Sequence, residues 1–235
     1  MKDVTFNNLK KKIENLIMDD WINISYLNSN NLGICLEKLL NINSSFFEIP
    51  DYFDIELKTI TRRNYPCFTL FNANFDSGIF EAERLYKTYG SLKGINFIAR
   101  KGYMKVINNH TFYLQIDNNN KKVILVTINL LNFEKDYSFN WSFDLLEEKL
   151  QRKLKKLCVV WVDKKIIDDQ TFMKVKEYHF YKLKSFLDFI NLIEKGIIRV
   201  SVRIYYDENR KKYINHGISF EIYDKCIENL FEKIL

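Results

Sequence analysis

A mixed α+β fold is predicted by three observations. Stretches with helical apolar spacing and stretches of strict alternation both occur in the sequence. They do not alternate one for one, as they would in a doubly wound parallel sheet. The 235 residues are 47% apolar with 19 Phe and 14 Tyr, enough to bury a sizeable core.

Taken in order, residues 6–18 set Leu9, Ile13, Leu16 and Ile17 on one stripe, which predicts an amphipathic helix. A short second helix is expected over "ICLEKLLNI", 34–42. Residues 54–60 alternate as a strand does, and "PCFTLF", 66–71, is expected to pair with it. "NFIAR", "YMKVI", "TFYLQID" and "KKVILVTINLL" read as four strands of a meander separated by Gly, Asn and Asp turn signals. The helix at 142–157 carries the stripe Leu146, Leu150, Leu154 and Leu157, with acids early and lysines late to complement its dipole. "CVVWVD" is a buried strand, 185–196 a helix stopped by Gly196, and "IIRVSVRIYYD" a strand after it. A last helix is expected over 224–235.

Cys35, Cys67, Cys158 and Cys226 lie far apart without a CxxC pair, which argues against a disulfide framework or a structural zinc site. The N-terminal stretch has no apolar signal core and no apolar run approaches a bilayer span, so a cytoplasmic protein is expected. A net charge of +6 favours a polyanionic partner.

The chemistry concentrates in "FFEIPDYFDIELKTI", residues 46–60. On a strand, Asp54, Glu56 and Lys58 point to one face and Ile55 and Leu57 to the other. Asp51 precedes the strand behind Pro50, whose fixed φ sets the angle of entry. Neighbouring carboxylates repel unless a cation sits between them, and Mg²⁺ prefers one or two carboxylates completed by water and phosphate oxygens. A lysine beside such an ion suits phosphodiester hydrolysis. A half-solvated strand would show the same alternation.

Pro50-Asp51, four residues, then Glu56-Leu57-Lys58 resembles the PD-(D/E)xK nuclease motif. "GICLEKLLNI", "IPDYFDIELKT" and "FTLF" in that order resemble the MvaI/BcnI family of restriction endonucleases, relatives of the mismatch-repair nickase MutH. The far end agrees, with "FLDFINLIEKGIIRVSVRIYYD" followed by "YINHGISFEI". The likeness runs from about residue 33 to the end. It implies that Asp51 and Glu56 bind the metal, that Lys58 is the catalytic lysine and that Glu37 completes the acidic cluster. Asp54 competes with Asp51 by parity, and the proline and four-residue gap favour Asp51. His216 resembles the family histidine near the bases, to which a ring N–H can donate. Glu221 departs from the arginine that commonly follows the phenylalanine. Arg62 and Arg63 after the catalytic strand, and Arg210, Lys211 and Lys212 before His216, are candidates for phosphate contacts. His110 and His179 match nothing.

The resemblance implies a mixed β-sheet flanked by helices, in one endonuclease domain with two lobes around a DNA cleft. The catalytic lobe would span about 1–95 and the recognition lobe about 96–235. It further implies a Mg²⁺-dependent type II enzyme that cuts double-stranded DNA as a monomer, with a companion methyltransferase in the same cell. A MutH-like nickase and a DNA-binding protein without catalysis are the alternatives.

Overall fold

The computed structural model describes residues 2–42, 49–61, 67–78, 80–91, 94–103 and 105–234, with the backbone alone at 2–3, 212–213 and 215–216. The chain divides into two compact units, one of Met1–Phe68, Gln151–Leu183 and Phe231–Leu235, the other of Thr69–Leu150 and Lys184–Leu230.

The first unit holds helices α1 (Lys2–Met18) and α2 (Leu32–Leu39), and strands β1 (Ile22–Asn23) and β2 (Glu56–Thr61). Further along the chain, β10 (Lys156–Ile167), β11 (Gln170–Leu183) and β14 (Phe231–Lys233) complete it. The sheet order is β1-β11-β10-β2, with β14 also pairing β11. β10 and β11 form a long antiparallel hairpin. Its two turn residues, Asp168 and Asp169, have φ of 47° and 59°. Asp tolerates that left-handed region, which matches the strand twist. β2 runs parallel to β10, with Glu56 beside Leu157 and Lys58 beside Val159. The near-continuous apolar run of β10 is what a strand covered on both faces requires.

This pairing corrects the expectation of a β2 hairpin. Strand β3 (Cys67–Asn72) belongs to a different sheet. Alternation marks a strand but not its partner, and the apolar β10 takes β2 from about 100 residues away. The predicted stripe of α1 packs as expected. Leu9 and Ile13 join Leu36 of α2, Leu57, Val160, Met173 and Phe180 in one buried cluster.

The second unit carries two sheets. β3, β13 (Lys212–Tyr223), β12 (Arg199–Asp207) and β4 (Ile95–Ala99) form one, in that order. The other has the order β5 (Lys105–Ile107), β6 (His110–Asp117), β7 (Lys122–Asn129), β8 (Lys135–Asp136), with β9 (Asn140–Ser142) on β7. The helices are α3 (Phe80–Tyr89), α4 (Phe143–Leu154), α5 (Phe186–Glu194) and α6 (Ile227–Leu230). The last turn of α4 belongs to the first unit. Aromatic rings fill the second core. Trp141 packs against Phe75 and Phe220, and its indole N–H donates to the Ala73 carbonyl at 3.1 Å. Ser185 caps α5, and Gly196 follows with φ of 67°, the left-handed stop that glycine adopts without strain.

The four meander runs appear as β4 to β7, although β4 leaves its neighbours to pair with β12. The helix expected over 142–157 ends at Leu154 because Lys156 and Leu157 open β10. The closing helix is also shorter than its apolar spacing suggests. After a 3₁₀ turn and α6 the chain becomes β14, because the buried Phe231 packs on Tyr181 while its backbone completes the β11 edge. The cysteines are free, and among the described residues no helix is long and apolar enough to cross a membrane.

Leu36 is fully buried beneath the sheet of the first unit. Leu36→Ala is expected to cost about 2–5 kcal/mol through the cavity it leaves. Urea unfolding of the two proteins measures it.

Candidate active site

The site is built at the entry to β2. After Pro50 and Asp51 comes a tight turn in which Tyr52 and Ile55 exchange backbone hydrogen bonds of 3.0 and 2.9 Å. Phe53 takes a φ of 55° within it. The turn folds the chain back, so that Asp51 Oδ2 accepts the Leu57 N–H at 2.9 Å. Asp51 is thereby fixed to the first turn-to-strand residues instead of swinging in solvent.

Parity placed Asp54 on the face of Glu56, but β2 begins only at Glu56, and Asp54 lies in the preceding turn. Its carboxylate is exposed and paired with Lys156. Of the two aspartates, the one whose charge bears on Glu56 is Asp51.

Glu56 is 1% exposed, so the reading of a merely solvated strand face does not hold at this position. Its Oε1 accepts from Lys58 Nζ at 2.6 Å and lies 3.4 Å from Lys153 Nζ. Its Oε2 is buried without a hydrogen-bond partner. Burial pushes the Glu56 carboxyl above the usual carboxylate range and Asp51 adds to this, while Lys58 and Lys153 oppose it.

Glu37 comes from α2. Asn31 caps that helix, its side-chain oxygen accepting from the N–H groups of Gly33 at 2.9 Å and Ile34 at 3.4 Å. A Cβ on Gly33 would stand 3.1 Å from the same oxygen, closer than most side chains tolerate, which accounts for the glycine that opens the motif. The half-buried Glu37 carboxyl is also held above its ordinary range, first by burial and then by Asp51 and Glu56.

The fold thus brings Glu37, Asp51, Glu56 and Lys58 together from a helix, a turn and a strand. The other candidates lie elsewhere. Arg62 and Arg63 fall outside the described residues. Arg210 and Lys211 sit exposed at the β12–β13 turn of the second unit, where the Arg210 N–H donates to Asp207 Oδ1 at 3.0 Å. Lys212 and His216 are backbone positions of β13. His216 and Gly217 together face Arg203 at a bulge, because Val202 pairs with Ile218 and Ile204 with Asn215. Glu221, which stands where an arginine was expected, pairs with Arg199 directly across the sheet at 2.9 Å.

Lys153 is the residue that the sequence reading missed. The lysine-rich end of α4 looked like dipole complementarity alone. Only the distant β2–β10 pairing shows that this end meets Glu56.

The donor set suits a hard divalent cation. Glu56 keeps a buried carboxylate oxygen without a partner, the charge of Asp51 acts on it, and Glu37 is raised in turn by the charges of both. Among the described residues no group of three or more His, Cys, Asp or Glu side chains is placed to hold a metal ion. Mg²⁺ uses few protein ligands and keeps water, so an open pair is the arrangement it fits.

The MvaI/BcnI restriction endonuclease family model matches residues 10–231. The chain belongs to that family. Membership makes it a restriction endonuclease, a site-specific DNA nuclease. Among solved structures it is similar to the restriction endonuclease MvaI in complex with cognate DNA, with a TM-score of 0.87 and 24% identity over 97% of this chain and 98% of that one. It is also similar to MvaI in the absence of DNA, with a TM-score of 0.60 and 24% identity over 97% and 96% of the two chains. The fold is the PD-(D/E)xK type of the MvaI endonuclease. No curated protein matches the chain.

The raised Glu37 carboxyl carries a stability consequence. A carboxyl whose folded pKa lies above its unfolded value stabilises the fold below the unfolded value, about 4.3. That contribution is lost as pH rises through the folded value. At neutral pH without metal, the ionised cluster therefore opposes folding. Glu37→Gln is expected to raise the melting temperature at pH 7 in EDTA by a few degrees, since about 2–4 °C corresponds to 1 kcal/mol in a domain of this size. The gain shrinks near pH 4, and melting curves at the two pH values test both statements.

Proposed function

We propose that the chain is a Mg²⁺-dependent type II restriction endonuclease that hydrolyses phosphodiester bonds of double-stranded DNA at a short specific sequence. The observation that carries this is the Glu56 carboxylate, buried with one oxygen gripped by Lys58, the other without a partner, and the charge of Asp51 acting on it. Asp51 and Glu56 would hold the ion, and Glu37 would complete the negative field around it. When bound, the ion supplies Lewis-acid stabilisation of the phosphate charge and of the leaving oxygen.

The protein's own groups do the rest. Asp51, fixed by the Leu57 N–H, sets the distance between the two carboxylates. Lys58 holds Glu56 by one oxygen, which would leave the other for the cation. Its ammonium, part-exposed, orients the attacking water and bears on the phosphate charge. Burial of Glu56 excludes water from one side of the site and strengthens each of these interactions.

DNA is the partner, and the net charge of +6 agrees with a polyanion. We assign sequence readout to the second unit, with His216 toward base edges and Arg210, Lys211 and Lys212 toward phosphates. Arg62 and Arg63, next in sequence to β2, are assigned to phosphates near the scissile bond. One active site per chain fits a monomer that cuts the strands one after the other. A companion methyltransferase in the same cytoplasm would protect host DNA.

Plasmid incubated with the purified protein in Mg²⁺ is expected to give discrete bands that EDTA abolishes. Lys58→Ala should lower the rate by about 10²-fold or more. Open circle should accumulate before linear DNA if strands are cut in turn. DNA binding without cleavage in any divalent ion would refute the enzyme. Cleavage that needs a partner protein and hemimethylated DNA would point to a repair nickase.

A further inference from the structure

Lys153 has an environment that the proposed chemistry does not yet use. It lies in the last turn of α4, its side chain is 27% exposed, and its ammonium stands 3.4 Å from Glu56 Oε1. Lys58 already neutralises that same oxygen at 2.6 Å, from two residues along the strand. Two ammonium groups therefore converge on one oxygen of a carboxylate whose other oxygen is buried and bare. Its charge also bears on Glu37, the carboxyl that α2 brings to the same cluster.

We propose that Lys153 is a placeholder cation: its ammonium neutralises Glu56 before a divalent ion is bound, and moves to a DNA phosphate oxygen once that ion is in place. The inference rests on the reading of the site as a metal-dependent nuclease.

The charges of the cluster support it. Glu37, Asp51 and Glu56 bring three negative charges when ionised, against two positive ones from Lys58 and Lys153. The cluster is then one charge negative without metal and one charge positive with it. A single phosphate returns it to neutrality. Of the two lysines, Lys58 is fixed by its strand and its short contact. Lys153 has the longer contact and greater exposure, and its flexible four-carbon stem carries three rotatable donors. It is a positioning residue for Glu56 before the ion binds and a phosphate ligand afterwards.

This role has an unusual signature, because one substitution should shift two affinities in opposite directions. Removing a like charge next to a cation favours the cation. Lys153→Met is expected to tighten Mn²⁺ binding without DNA about threefold or more, measured by calorimetry. The same variant should weaken binding of a short duplex in Ca²⁺ by about tenfold, and Lys153→Arg should restore both. A lysine that only packs α4 against the sheet would leave Mn²⁺ affinity unchanged or lower it, and either result overturns the proposal. An unchanged duplex affinity overturns it too. If the wild-type protein binds no Mn²⁺, the metal-dependent reading fails along with it; if the wild type binds and Lys153→Met does not tighten, this inference alone fails. Should Lys153→Met not fold, Lys153→Gln makes the same comparison.

Discussion

The candidate site of the first unit is organised around one buried carboxylate. Glu56 is the first residue of β2 and is almost wholly removed from water. An isolated ionised carboxylate could not stay there. Lys58 and Lys153 satisfy one oxygen, and the other is left bare with Asp51 and Glu37 close by. The fold accepts a destabilising cluster at the point where a cation is needed. That is the usual relation between stability and a functional site.

Holding that cluster requires rigid surroundings. The Asn31 cap aligns α2, the Tyr52–Ile55 turn returns Asp51 to the strand, and the parallel β2–β10 pairing seats Glu56 and Lys58 on a buried sheet. Each device is local and modest in energy. Together they set three carboxylates at a spacing that none would choose in water.

How much of this was legible depends on sequence distance. Gly33, Glu37, Asp51, Glu56 and Lys58 lie within about one helix, one turn and one strand of each other, so their spacing could be read directly. Asp54 was misread because parity assumes that a strand has already begun, whereas a residue with positive φ at Phe53 keeps the chain in a turn. Lys153 was not legible at all. Its meeting with Glu56 needs β10 to dock beside β2 across some 100 residues, and periodicity says nothing about partners. β11 went unassigned for a related reason: its burial alternates irregularly along 14 residues because several different elements pack on it. The apolar spacing of the terminal strand suits a helix equally well until an open sheet edge is available.

The first unit is assembled from three separate stretches of chain, the last of them Phe231–Leu235. During synthesis, β2 emerges long before β10 exists to receive it, and β14 pairs with β11 later still. Domains whose contacts are this distant in sequence cannot finish folding until late. A nascent chain that has not reached β10 therefore lacks the partner strand of Glu56 and Lys58. Such an order of events delays an ordered seat for Glu56 and Lys58 until β10 has been made, about 100 residues after β2.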